Sequence, residues 1–158
     1  MAELATPHDV PTDTLDPSVR SDALVLFGAT GDLAHKKIFP AVYAMEAAER
    51  LNAPVIGVAS SEGDTAYLDD LVRRSVSEQI PDHDPAILDR LISRVTYVSG
   101  DYREPKVFDD LATALAGVER PLFYLSIPPV LFDDVVTGLD RVGIAGGGRV
   151  VVEKPFGR

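Results

Sequence analysis

The chain contains no cysteine. That excludes disulfides, thiol nucleophiles and cysteine-ligated zinc, and it fits a cytoplasmic protein. No apolar run approaches the length of a membrane span, so no membrane partner is expected. The opening residues, MAELATPHDVPTDTLDPSVRSD, lack the basic start and apolar core of a signal peptide. Their prolines and short polar residues predict a flexible leader over 1–22. Positive charge is scarce: 15 Lys and Arg against 25 Asp and Glu leave a formal net charge of -10. Such a balance argues against nucleic acid as the main partner, because binding it needs a basic footprint. It does not exclude small phosphorylated ligands, which local lysines and helix N-termini bind whatever the net charge. Internal repeats and low-complexity tracts are also missing.

What is present suffices for one compact domain: 158 residues, 46% of them hydrophobic. From residue 23 onward, short apolar runs alternate with amphipathic stretches. Strands are predicted at ALVLF (23–27), PVIGVAS (54–60), VTYVS (95–99), PLFYLSI (121–127) and GRVVVE (148–153). Helices are predicted after a turn at 28–31 toward residue 50, interrupted or restarted at Pro40, and over 65–80, 84–94, 104–117 and 129–143. Asp64 is placed as the N-cap of the second of these. The alternation predicts an α/β fold, a doubly wound parallel sheet of the Rossmann-like dinucleotide-binding kind, over 23–158. In such sheets ligands bind beyond the carboxyl ends of the strands, near the switch in strand order. GATGD, SIPP and EKPFG all fall at predicted strand ends.

GATGDLA has the spacing G-x-x-G-x-x-A. Gly28 lets the chain turn tightly off the strand, Gly31 lets backbone approach a pyrophosphate, and Ala34 allows helix and strand to pack closely. Between a first strand and a first helix, the pattern points to dinucleotide binding. The basic cluster His35, Lys36 and Lys37 stands out in an acidic chain.

GATGDLAHKKIFP resembles the nucleotide-binding signature of the glucose-6-phosphate dehydrogenase family, and VVVEKPFGR resembles that family's strand-end motif. VSGDYREP and LFYLSIPP resemble it too, in matching order, so the resemblance covers essentially all of 23–158. It implies that the glycine turn with Thr30, Asp32 and Leu33 holds the coenzyme pyrophosphate. Lys37 would reach toward the sugar phosphate substrate and Lys154 would hydrogen-bond it. Pro155 would help align coenzyme and substrate, and Pro128 and Pro129 would shape the wall near the nicotinamide. The implied reaction oxidises C1 of glucose 6-phosphate to a lactone in the oxidative pentose phosphate pathway, with NADP as the family's usual coenzyme.

Two departures qualify the match. The family's catalytic histidine lies in a motif of the form H-Y-L-G-K after EKPFG, and these residues contain none. His8, His35 and His83 are poor substitutes, so no catalytic base is assigned. The family's large substrate and dimerisation domain is likewise expected to lie outside these residues. The chain is therefore expected to bind coenzyme without turnover, with a homo-oligomer expected only for the full-length enzyme. The other departure is Ser60, which stands where the family often carries an arginine for the adenosine 2′-phosphate. Ser60 and Ser61 could donate to a phosphate, whereas Glu62 would repel one and could accept from a ribose hydroxyl. Arg73 or Arg74 could compensate from the following helix, although a solvated face is the expectation for both, so NADP stays the family default and NAD the alternative.

Two rival readings are carried forward. One is a stand-alone nucleotide-binding module acting with another chain. The other is a short-chain reductase, suggested by Tyr102 and Lys106 in a Y-x-x-x-K spacing that Pro105 interrupts. The Asp82–His83–Asp84 run reads as a solvated turn, and no metal site is expected.

Overall fold

A computed structural model describes residues 21–144 and 147–152. Five strands form one parallel sheet: β1 (Ala23–Phe27), β2 (Val55–Ala59), β3 (Val95–Ser99), β4 (Pro121–Leu125) and β5 (Arg149–Val152). Their order is β3-β2-β1-β4-β5, so the order reverses between β1 and β4. This is the arrangement in which dinucleotides lie across the reversal. Phe27 pairs with Val58 on one side and with Leu125 on the other, which brings three strand ends side by side.

Five α-helices cover the sheet: α1 (Phe39–Ala47), α2 (Thr65–Gln79), α3 (Pro85–Ile92), α4 (Pro105–Ala114) and α5 (Phe132–Val142). They divide between the two faces because each strand alternates its side chains. Leu26, Val55, Ala59 and Tyr97 point into a cluster with α1, α2 and α3. Val25, Phe27, Ile56, Val58 and Phe123 point into another with α4 and α5. Burial on both faces explains why β1 and β2 read as unbroken apolar runs. Each fully buried Leu or Phe contributes about 1.5–3 kcal/mol to holding its layer on the sheet. Among the described residues, no helix is long and apolar enough to cross a membrane.

The helix ends follow from local chemistry. Asp64 caps α2 by accepting from the Tyr67 amide at 3.1 Å. Asp84 lies just outside α3 and caps it, accepting from the Ala86 amide at 2.9 Å. Residues 129–131 form a short 3-10 turn, and the α-helical part of that segment starts only at Phe132. Asp22 accepts from the amides of Glu119 and Arg120 at 2.9 and 2.7 Å, tying the entry of β1 to the entry of β4.

The break expected at Pro40 is a π-helical turn, Ala34–Ile38, running directly into α1. Proline has no N–H, so the carbonyls behind it lose a donor. The carbonyl of His35 is instead capped from another element, by the fully buried Ser75 hydroxyl on α2. The His35 ring bonds Glu78 of the same helix at 2.8 Å.

Candidate functional site

The turn after β1 is closed from within. The Gly28 amide bonds the Val58 carbonyl at 2.8 Å, and the Gly31 amide bonds the Gly28 carbonyl at 3.0 Å. Gly28 has φ 87°, and a Cβ there would lie 2.0 Å from the Ser126 carbonyl oxygen at the end of β4. No other residue fits so close an approach of two strand ends. Gly31 differs. It is exposed, and a Cβ on it would meet only the Gly28 carbonyl oxygen, at 3.4 Å. Among the described residues, nothing packed against this position demands a glycine. The open space in front of it is where a pyrophosphate would approach the backbone, and in that respect the turn fits a dinucleotide.

Around that space, Asp32 opens the first helical turn, whose leading amides have no carbonyl one turn behind them. Leu33 turns its half-buried side chain into the cluster under α1–α3, which leaves its backbone for the ligand side. Ala34 is fully buried, as close helix–strand packing requires. Asp32 is exposed, so its amide can serve an anion whereas its carboxylate opposes one. The Thr30 hydroxyl is hydrogen-bonded to that of Ser61 at 3.0 Å, linking the glycine turn to the loop after β2.

That second loop carries Ser60, Ser61 and Glu62. The Ser61 carbonyl accepts from Tyr97 Oη at 2.5 Å and from Ser99 Oγ at 2.8 Å, both on β3. Burial pushes the Tyr97 phenol up, which keeps it a donor. Ser60 and Glu62 are exposed on either side of this anchor. Arg73 lies two turns into α2 and pairs with Asp89 of α3 at 3.0 Å, so it is committed to a helix–helix contact. At the end of β4, Pro128 and Pro129 are exposed, with the Leu131 amide closing onto the Pro128 carbonyl at 2.9 Å. Lys36 and Lys37 are exposed on the π-helical turn. Lys154 and Pro155 lie outside the described residues.

The structure thus gathers Gly28, Thr30, Gly31, Asp32, Leu33, Ser60, Pro128 and Pro129 at the ends of three adjacent strands. It separates the Y-x-x-x-K pair. Tyr102 precedes α4 and is buried, while Lys106 is exposed and pairs with Asp110 at 2.7 Å. Proline at the start of α4 keeps the two off a shared helical face. His83 is also accounted for locally, with its Nδ1 on the Ile80 carbonyl at 2.9 Å. Among the described residues no group of three or more acids and histidines is placed to hold a metal ion. The bracing residues Ser75, Tyr97 and Ser99 carry no motif, and only their chain-distant contacts reveal them.

Comparison with known proteins bears on the same residues. The family model described as "Glucose-6-phosphate dehydrogenase, NAD binding domain" matches 25–158. A relative from Mycobacterium tuberculosis, "Glucose-6-phosphate 1-dehydrogenase 1", is 42% identical over 87% of this chain and 29% of its own length. The chloroplastic glucose-6-phosphate 1-dehydrogenase of Spinacia oleracea is 36% identical over 86% of the chain and 26% of its own. A solved glucose-6-phosphate 1-dehydrogenase from Mycobacterium avium superposes with a TM-score of 0.82 at 41% identity, covering 87% of this chain and 30% of that one. Another, a glucose-6-phosphate dehydrogenase in complex with its substrate glucose 6-phosphate, gives 0.76 at 30% identity, covering 87% and 32%. The chain spans less than a third of the length of each of these four.

Proposed function

Because the chain belongs to the glucose-6-phosphate dehydrogenase family through its NAD-binding domain, we propose that it holds the nicotinamide coenzyme for oxidation of glucose 6-phosphate to its lactone. The observation that carries this is the contrast within the turn: the fold requires glycine at 28, whereas among the described residues nothing packed against position 31 requires one. When bound, the nicotinamide accepts the hydride from C1 of the sugar, while the C1 hydroxyl proton goes to a base.

This chain's own residues bind and orient. Gly28 and Gly31 shape the turn so that the pyrophosphate can approach, and the backbone of Thr30, Asp32 and Leu33 at the start of the helix takes it. The stiff Pro128–Pro129 segment walls the nicotinamide. Lys37 on the π-helical turn, with Lys154, meets the negative charge of the sugar phosphate. Pro155 aligns the two ligands. His35 and His83 are engaged with Glu78 and Ile80, which supports coenzyme binding without turnover by these 158 residues. NADP is the proposed coenzyme and NAD its competitor, since Ser60 and Glu62 offer the adenosine ribose no cation.

Calorimetric titration of wild type and Ser60→Arg with NADP and with NAD tests the assignment. Wild type should bind at least one of the two. A charge-assisted bond from an arginine should shift the NADP-to-NAD affinity ratio by roughly tenfold toward NADP. A wild-type chain that binds neither coenzyme would sink the reading.

A further inference from the structure

Tyr102 touches the glycine turn from the sheet face opposite α1–α3. Its hydroxyl accepts from the Gly28 amide at 2.9 Å and donates to the Val58 carbonyl at 3.1 Å. It therefore joins the first residue of the turn to the neighbouring strand β2, in addition to the backbone bond already linking those two atoms. The ring is buried and stands edge-on to Phe27, the last residue of β1, at 5.6 Å between centroids and 73° between planes. The tight turn that follows aims it inward: the Glu104 amide bonds the Asp101 carbonyl, and Asp101 also takes the Arg103 amide at 2.9 Å. Burial pushes the Tyr102 phenol above its ordinary range, so the hydroxyl keeps its proton.

The hydroxyl travels from the end of β3, across the adjacent strand β2, to the one amide where β1 becomes a ligand loop. A phenylalanine would fill the same apolar space. The hydroxyl is needed only for the two polar contacts, one on the turn at Gly28 and one on β2 beside it at Val58. Resting on the coenzyme reading above, we infer that Tyr102 is a positioning residue for coenzyme binding, holding the Gly28–Gly31 turn in the conformation that receives the pyrophosphate.

The test compares two variants of the same buried cluster. Tyr102→Phe removes the hydroxyl alone, and Val107→Ala trims α4 without touching the turn. NADP and NAD are titrated calorimetrically well below the melting temperature of every protein, with circular dichroism confirming the fold. Tyr102→Phe should weaken coenzyme binding about three- to tenfold, the worth of one ordinary hydrogen bond. Val107→Ala should stay within about twofold of wild type, although loss of buried methyl groups destabilises it. Amide hydrogen exchange without coenzyme gives a second reading. Exchange should quicken at 29–31 in Tyr102→Phe and stay unchanged at Leu24–Leu26. Unchanged affinity in Tyr102→Phe, equal weakening in both variants, or unchanged exchange at 29–31 would overturn the inference while leaving the coenzyme assignment intact. A wild type that binds no coenzyme would remove that assignment, and this inference with it.

Discussion

The loops after β1 and β4 leave neighbouring strands in register, and each is held by different means. The first is braced by hydrogen bonds from far along the chain: Tyr102 on Gly28, and Ser61 on Thr30. The second has consecutive prolines, both exposed, followed by Val130 at 82% exposure. Its stiffness is covalent, set by the pyrrolidine rings. A loop stiffened by prolines keeps its shape whatever packs around it. A loop stiffened by distant hydroxyls keeps its shape only while β2, β3 and their connections are in place. The glycine turn is thus a property of the whole sheet, and the proline segment is a property of its own sequence.

Breaking the junction between the two loops should do the most damage. Gly28→Ala drives a Cβ toward the Ser126 carbonyl and forces a left-handed φ on an L-residue. The two penalties together should cost roughly 3 kcal/mol or more, read as a large fall in melting temperature or as insoluble expression.

Next comes the layer that carries the braced turn. The Glu46 side chain is only 3% exposed, and Arg94 and Arg90 bond its two oxygens at 2.6 and 3.2 Å, clamping α1 to the α3 end. Burial alone would push this carboxyl up, but the hydrogen bonds from Arg94 and Arg90 outweigh it and hold the group below its ordinary range. A group with a depressed folded pKa contributes its full stability above the unfolded value, about 4.3, and loses it as the pH falls through the folded one. Wild type should therefore lose stability below about pH 4 by an increment that Glu46→Gln lacks. At pH 7 Glu46→Gln should be about 1–2 kcal/mol less stable, the partial exposure of both arginines limiting the cost. Urea denaturation across pH 3–7 measures both.

The smallest effect belongs to the covalently stiffened loop. Pro129→Ala should cost only about 0.5–1 kcal/mol, through the unfolded chain, and should leave pyrophosphate binding in place. If it weakened coenzyme binding as much as a change in the glycine turn does, the contrast between the loops would collapse.

Sequence and structure agree where local chemistry decides. β1 and β3 run over the predicted residues, Asp64 caps its helix, and Pro40 falls in the first turn of α1, where the π-helical turn gives way to α-helix. The glycine spacing pointed to the turn for the same reason, since φ and close approach are local demands. What escaped the sequence is carried by contacts between residues far apart in the chain. Tyr102 lies 74 residues from Gly28, and in sequence it pairs more readily with Lys106 than with a glycine on another strand. Ser75 sits in the middle of an ordinary amphipathic helix, and only the carbonyl left without a donor by Pro40 explains why a serine is buried there. Hydroxyls that satisfy another element's backbone have no period and no motif.

On the proposed reading, Gly28 serves the fold and Gly31 serves the coenzyme. Gly31→Ala tests it directly, with melting temperature and NADP affinity measured on the same sample. The variant should melt within about 2 °C of wild type, since a surface change free of packing is worth at most about 0.5 kcal/mol. Coenzyme affinity should fall tenfold or more. A variant that melts early, or one that binds NADP as tightly as wild type, would contradict it.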